Sequence, residues 1–366
     1  MQLQFFPSRQ LALYVGKTFF SRCLSVLLML VLVLTTLDLL GETSYILSYP
    51  GNGQPELWHY VTLRVPQIIA RFLPFSVLLG TLITLVTMNQ NSEIISMKAA
   101  GLSAHQILAP LMIGATAIAL LNFAFNERVV SRATATLTAW HAVEYRPIPK
   151  ASGIKSNVWV RDGNNLITAG IIAGSGTDVQ LRRVEMFNRV DNKLINIVHS
   201  PRGHYDPKAK DWVLEEAQVY DVTRGTSARA GTIHAGKGVR PDQFTLASVD
   251  ADGLNFFELR SAIADLKDAG RPTATLEGDL WHKVSGPLST LLMPLLGAVA
   301  AFGLARSGKL FIRAIIGMGL GFAYFVADSF SLAMGNLGAY PPFLAAWAPF
   351  FLFLLLGEAV LIRTEE

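Results

Sequence analysis

Several stretches of this chain run uncharged for about the length of a membrane. Phe72–Met88, Ile107–Phe125 and Val284–Ala305 contain no Asp, Glu, Lys, Arg or His. A helix needs about 20 such residues to cross the hydrocarbon core. Inside lipid, a segment must satisfy its own backbone hydrogen bonds, which leaves helices or closed barrels. Composition agrees with the helical solution. Hydrophobic residues make up 51% and charged residues 16%, with a mean hydropathy of +0.38, too few charges to cover a soluble surface of this size.

In chain order, Arg9, Lys17 and Arg22 precede an apolar run from Cys23 to about Leu40. The run is too long for a signal peptide and lacks a small-x-small cleavage site, so it is expected to be a first span. Pro50, Gly51, Asn52, Gly53 and Pro55 form a loop, and a second span runs from about Pro66 to Met88. A third extends to Phe125 and continues helically through Glu127–Glu144. Short alternating segments follow, at Asn157–Arg161, Leu166–Ala169, Val184–Phe187, Leu194–His199, His204–Asp206, Trp212–Glu215, Val219–Thr223 and Phe244–Val249. Their spacing predicts an antiparallel sandwich or jelly roll. Phe256–Ala269 is an amphipathic helix leading back to spans at Val284–Ala305, Ile312–Leu332 and Phe343–Ile362.

The expected fold is therefore an α-helical membrane protein with six transmembrane helices. A β domain, jelly-roll-like, is inserted between the third and fourth. The domains are 1–125, 126–280 and 281–366. Arg9, Lys17, Arg22, Lys98, Arg306, Lys309, Arg313 and Arg363 fall on one side, whereas the short loops opposite offer only Arg64. Both termini are thus expected in the cytoplasm and the β domain outside.

The polar interval Asn91–Ala104 lies between two spans on the cytoplasmic side. Ile94, Ile95, Met97 and Leu102 recur at roughly helical spacing, with Glu93, Ser96, Lys98 and Ser103 between them. Asn91 can cap the start, and Gly101 suits a left-handed helix end. This is an amphipathic helix that either rests in headgroups or docks into a groove of a soluble partner.

Catalytic signals are weak. Gly303–Leu310 has the glycine and Gly-Lys spacing of a phosphate loop, but Leu310 replaces the hydroxyl residue and no strand precedes it. The seven histidines are scattered, Cys23 stands alone, and the mild net charge of +4 is not clustered as a nucleic-acid surface would be. His199 and His204, five apart, are expected on opposite faces of a strand.

Four segments carry a resemblance. Asn91–Ser103, with its Ser-Glu, Met and Gly-Leu-Ser, is similar to the coupling helix of the LptF/LptG lipopolysaccharide export permease family. Val158–Ile167 resembles the start of the family's periplasmic jelly roll, and Leu280–Met293 resembles the opening of its fourth span. Tyr324–Pro342 matches the LptG side better than the LptF side. The resemblance spans essentially the whole chain.

It implies a non-enzymatic permease subunit of the bacterial inner membrane, paired with an LptF-like paralogue. A dimeric LptB-like ATPase would hydrolyse ATP beneath it, so this chain itself would hold no cofactor. Lipopolysaccharide would pass to LptC/LptA-like periplasmic jelly rolls. Ser92, Glu93, Ile94, Ile95, Met97, Gly101 and Leu102 would form the ATPase contact. Lysines that relatives often carry near the outer end of the first span are absent. Arg64 and Arg71, seven apart on one helical face, are expected to serve instead, with Asp328 near the same cavity or paired with Arg71. Val158, Val160, Met186 and Ile197 are expected to line an apolar groove in the β domain. Two other classes fit the sequence less well. One is a lipoprotein-release or cell-division type permease, usually of four spans; the other is a membrane-anchored enzyme built on the β domain.

Overall fold

The structure is a computed structural model. It describes residues 8–142, 144–146, 155–173, 179–190, 193–222, 224–241, 244, 250–268, 272–302 and 310–363. The chain divides into two compact units. The first takes the described residues of 1–139, 251–267 and 271–366, and the second those of 140–250 and 268–270. The helices on either side of the insertion thus group with the helical body.

In the helical unit, α1 spans Arg9–Leu47, α2 Gln54–Gln90, α3 Glu93–Ala99 and α4 Ala104–Phe125. A π-helical turn, Asn126–Val130, joins α4 to α5 at Ser131–Ala142, continuing the third span as expected. After the insertion come α6 at Phe256–Asp268, α7 at Ala274–Phe302, α8 at Leu310–Asn336 and α9 at Pro342–Arg363. Five helical stretches among the described residues are long and apolar enough to cross a membrane. The expected fourth span lies in α7 as far as Phe302, and its remaining residues fall outside the described set, as does most of Gly303–Leu310.

The central helix is α7, which packs against α2, α4, α8 and α9 and buries Leu292, Met293, Leu295, Leu296 and Ala298. Close approach is built into the sequence at two glycines. A Cβ on Gly80 of α2 would sit 2.9 Å from the backbone N and Cα of Cys23 on α1, so only glycine lets these helices touch. A Cβ on Gly357 of α9 would meet the tip of Leu295 on α7 at 2.6 Å. One face of α1 is bare: Leu24, Leu28, Leu32, Leu37 and Leu40 face outward, while its buried residues are Val15, Phe19, Cys23 and Ile46.

Among the described residues, the second unit holds six antiparallel strands, each paired with the next in sequence. They are β1 Lys155–Asp162, β2 Asn165–Ala173, β3 Gln180–Val190, β4 Lys193–Asp206, β5 Asp211–Asp221 and β6 Thr226–Ala235. Two pairs of short expected strands merge into the long β4 and β5, and β6 is an addition to the expected set. The expected strand at Phe244–Val249 lies outside the described residues, apart from Phe244.

A crease crosses the sheet. The ladders skip the positions Asn157/Gly170, Gly170/Arg183, Arg183/Pro201 and Pro201/Glu216, and β5 shifts register against β6 at the next. Pro201 has no N–H to give, and Arg183 and Glu216 both adopt φ 52°. A left-handed residue inside a strand turns the chain and resets its alternation of faces. Leu181 and Val184 on β3, and Leu214 and Ala217 on β5, accordingly all face the interior although each pair is three apart. The hydroxyl of Ser200 sits 2.6 Å from the carbonyls of both Arg202 and Glu215, where the ladder is open. Trp212 fills the centre, edge-on to Phe244, with its indole N–H donating to the Val239 carbonyl at 2.8 Å.

Candidate functional site

The polar interval folds as a short helix between two tight turns. Asn91 closes α2, and Ser92, at φ 59°, turns the chain through the left-handed region into α3. The expected cap role of Asn91 therefore belongs to the preceding helix. At the other end Gly101 takes φ 88°. Its N–H bonds the Lys98 carbonyl at 3.0 Å, and Leu102 N–H bonds that of Met97 at 3.1 Å. That is the left-handed stop expected from the glycine. Ser103 then caps α4 reciprocally with Gln106.

The structure divides the expected contact residues between two faces. Ile94 and Met97 are buried in the bundle core, and Leu102 packs against it. They anchor α3 to its own chain and are not available to a partner. Ile95 faces outward at 61% exposure, alongside Ser92, Ser96 and Lys98, with Glu93 half-buried at the edge. The reason is length: seven residues cannot carry two apolar faces, and the short helix needs one of them to hold it in place.

Two ties fix the ends of α3. The hydroxyl of Tyr14 on α1 donates to the Glu93 carboxylate, 3.2 Å from each oxygen. The ammonium of Lys98 lies 5.0 Å from the ring centre of Phe302, at the end of α7. His105, in the first turn of α4, meets Glu358 of α9 at 3.3 Å. The start of α1, all of α3 and the ends of α7 and α9 therefore gather at one end of the bundle.

At the opposite end Arg64 forks onto Asp38 of α1, with Nε and Nη2 donating at 3.0 and 2.8 Å. The Tyr60 hydroxyl donates to the same carboxylate at 2.6 Å, and Gln67 accepts from Arg64 Nη1 at 2.8 Å. Asp38 is thus neutralised by Arg64. Arg71 is exposed and makes no hydrogen bond or ion pair with any other described residue. Asp328 does not pair with Arg71. Its partner is His282 of α7, Nε2 to Oδ2 at 3.0 Å. No local signal in the sequence marks His282, Tyr60 or Tyr14, because each partner is at least 22 residues away.

In the β unit, Val160 and Met186 lie on the interior face, and each is paired in register with Ile167. Val158 pairs with Ala169 by its backbone; its side chain lies outside the described set. Ile197 does not join them. It pairs with Phe187 and lies on the other face, because Val198 is the inward residue at that point of β4. His199 and His204 also depart from expectation. Both are exposed, beside Glu185 and Glu215 respectively, each at 3.3 Å, because the crease resets the alternation between them. A shallow hollow of about 300 Å³ over the crease is lined by Arg183, Glu185, His199, Pro201 and Glu216.

Comparison with known proteins follows the same outline. The family described as "Lipopolysaccharide export system permease LptF/LptG" matches residues 13–363. The chain is 27% identical to the lipopolysaccharide export system permease protein LptG of Escherichia coli K12, over 96% of this chain and 97% of the relative. It is 25% identical to that of Haemophilus influenzae Rd, over 96% and 98%. With a match over nearly its whole length, together with apolar helices and an inserted antiparallel β domain, the chain belongs to the LptF/LptG family of lipopolysaccharide export permeases.

Proposed function

We propose that this chain is the LptG-type permease subunit of an ATP-driven exporter that lifts lipopolysaccharide out of the bacterial inner membrane. The observation carrying this reading is α3. It is a short helix anchored from within, presenting Glu93, Ile95, Ser96 and Lys98 at the bundle end where Arg9, Lys17, Arg22 and Arg363 also gather. The excess of basic residues supports a cytoplasmic place for that end and a periplasmic β domain. A dimeric LptB-like ATPase would receive α3 by the helix-in-groove mode and hydrolyse the ATP, leaving no cofactor on this chain.

The bare apolar face of α1 supports a second, LptF-like permease beside it, since lipid-facing helices associate by packing. Of the two arginines at the periplasmic end, exposed Arg71 is the better phosphate contact, while Arg64 is held by Asp38. The inward row of the β domain, through Val160 and Met186, would carry acyl chains. Exposing these to water costs about 0.8 kcal/mol per methylene. The end strands β1 and β6 are each paired on one side among the described residues, which suits handover to LptC/LptA-like jelly rolls by sheet extension.

The test is reconstitution of the chain with its paralogue and ATPase in lipopolysaccharide-containing liposomes. ATP should drive lipopolysaccharide onto an added periplasmic acceptor, and Glu93→Lys should abolish it. Release that does not depend on ATP, or full release by Glu93→Lys, would overturn the reading.

A further inference from the structure

The hydrogen bond between Tyr14 and Glu93 joins two elements that the sequence keeps 79 residues apart. Tyr14 sits on a part of α1 that cannot shift freely. Its neighbours Val15, Phe19 and Cys23 are all buried. A Cβ on Gly114 of α4 would touch the Phe19 ring at 3.0 Å, and Gly80 of α2 leaves the same kind of notch for Cys23. One turn further, Arg22 donates to Thr87 on α2 at 2.7 Å. The phenol is thus delivered to Glu93 from a rigid base. Asn91 adds a weaker contact, with Nδ2 3.3 Å from Oε1.

What the bond does follows from the division of α3 into two faces. Ile94 and Met97 are spent inward, so the outward edge has little apolar surface beyond Ile95. Recognition at this edge falls on the Glu93 carboxylate. A glutamate at a helix start has three rotatable bonds, and freezing them on docking opposes binding. A carboxylate has about four acceptor sites, so one held by a phenol can still take a guanidinium or ammonium.

We propose that Tyr14 is a positioning residue, which presents the Glu93 carboxylate in a fixed pose to a basic group on the cytoplasmic ATPase. The proposal rests on the reading of α3 as the ATPase contact. Tyr14 itself need not touch the partner.

The experiment measures ATPase affinity for the purified full-length permease complex carrying Tyr14→Phe, Glu93→Gln or both, with melting temperatures recorded alongside. Freeing the Glu93 side chain restores its ordering cost on docking and predicts about twofold to tenfold weaker binding for Tyr14→Phe at unchanged melting temperature. Glu93→Gln should weaken binding further, and the double variant should be no worse than Glu93→Gln alone, because Tyr14 acts only through that carboxylate. Wild-type affinity in Tyr14→Phe, or losses that add in the double variant, would overturn the positioning role while leaving the ATPase contact intact. A lowered melting temperature that accounts for the whole loss would also overturn it. Failure of the wild-type complex to bind the ATPase at all would instead reject the reading of α3, and the proposal with it.

Discussion

Asp328 of α8 and His282 of α7 meet with Oδ2 and Nε2 3.0 Å apart, and the Asp328 side chain is only 14% exposed. A carboxylate in an apolar helix bundle needs a partner, and the one it finds is the imidazole rather than a guanidinium.

Asp328→Ala should therefore destabilise the protein by about 1–3 kcal/mol by stranding the ring of His282. Exchanging Arg71 and Asp328 should bring no recovery over the single changes. Thermal melting of the purified protein in detergent checks both, and a stable Arg71→Asp, Asp328→Arg protein would show that the pair is misassigned.

The two faces of α3 predict a separation of effects. Met97→Ala opens a cavity in the core and should cost about 2–5 kcal/mol of stability. Ile95→Ala should change stability by no more than about 0.5 kcal/mol, as exposed substitutions do, yet reduce recovery of the ATPase on affinity purification. The reverse pattern would mean that α3 is turned over.

Gly80 and Gly357 both allow close helix contact, but the obstacles differ. Alanine at either position should cost about 1–3 kcal/mol through overpacking. Leu295→Ala should rescue Gly357→Ala, since the clash there is with a side-chain tip. Cys23→Ala should not rescue Gly80→Ala, because backbone atoms of Cys23 stand in the way. Melting temperatures of the four single and two double variants decide the matter.

In the β domain, Ser200→Ala removes the hydroxyl that bridges the opened ladder between Arg202 and Glu215. The loss should be about 1–3 kcal/mol, the cost of leaving a buried acceptor unpaired. Hydrogen exchange in the full-length protein should quicken in β4 and β5 beside the crease and stay unchanged in α1 and α2. Unaltered exchange in both strands would show that the hydroxyl carries no structural weight.

Hydropathy located the long apolar helices and the β insertion among them, and Gly101 marked the end of the polar interval. These are local properties: lipid demands an uncharged run, and a left-handed turn demands a residue such as Gly101. The partners of charged groups were decided only by the tertiary structure. Asp38 with Arg64, Tyr14 with Glu93 and His282 with Asp328 are contacts across 26, 79 and 46 residues, set by how helices rotate about their axes. The faces of the β strands were likewise hidden. Alternation along β4 held until the crease at Pro201, which put His199 and His204 on one face where a strict period of two would part them, while the pattern did not say whether Ile197 or Val198 faces inward. The inward set of Ile94 and Met97 was decided by packing too: a helix of two turns shows the same apolar pattern whether it faces its own core or another protein.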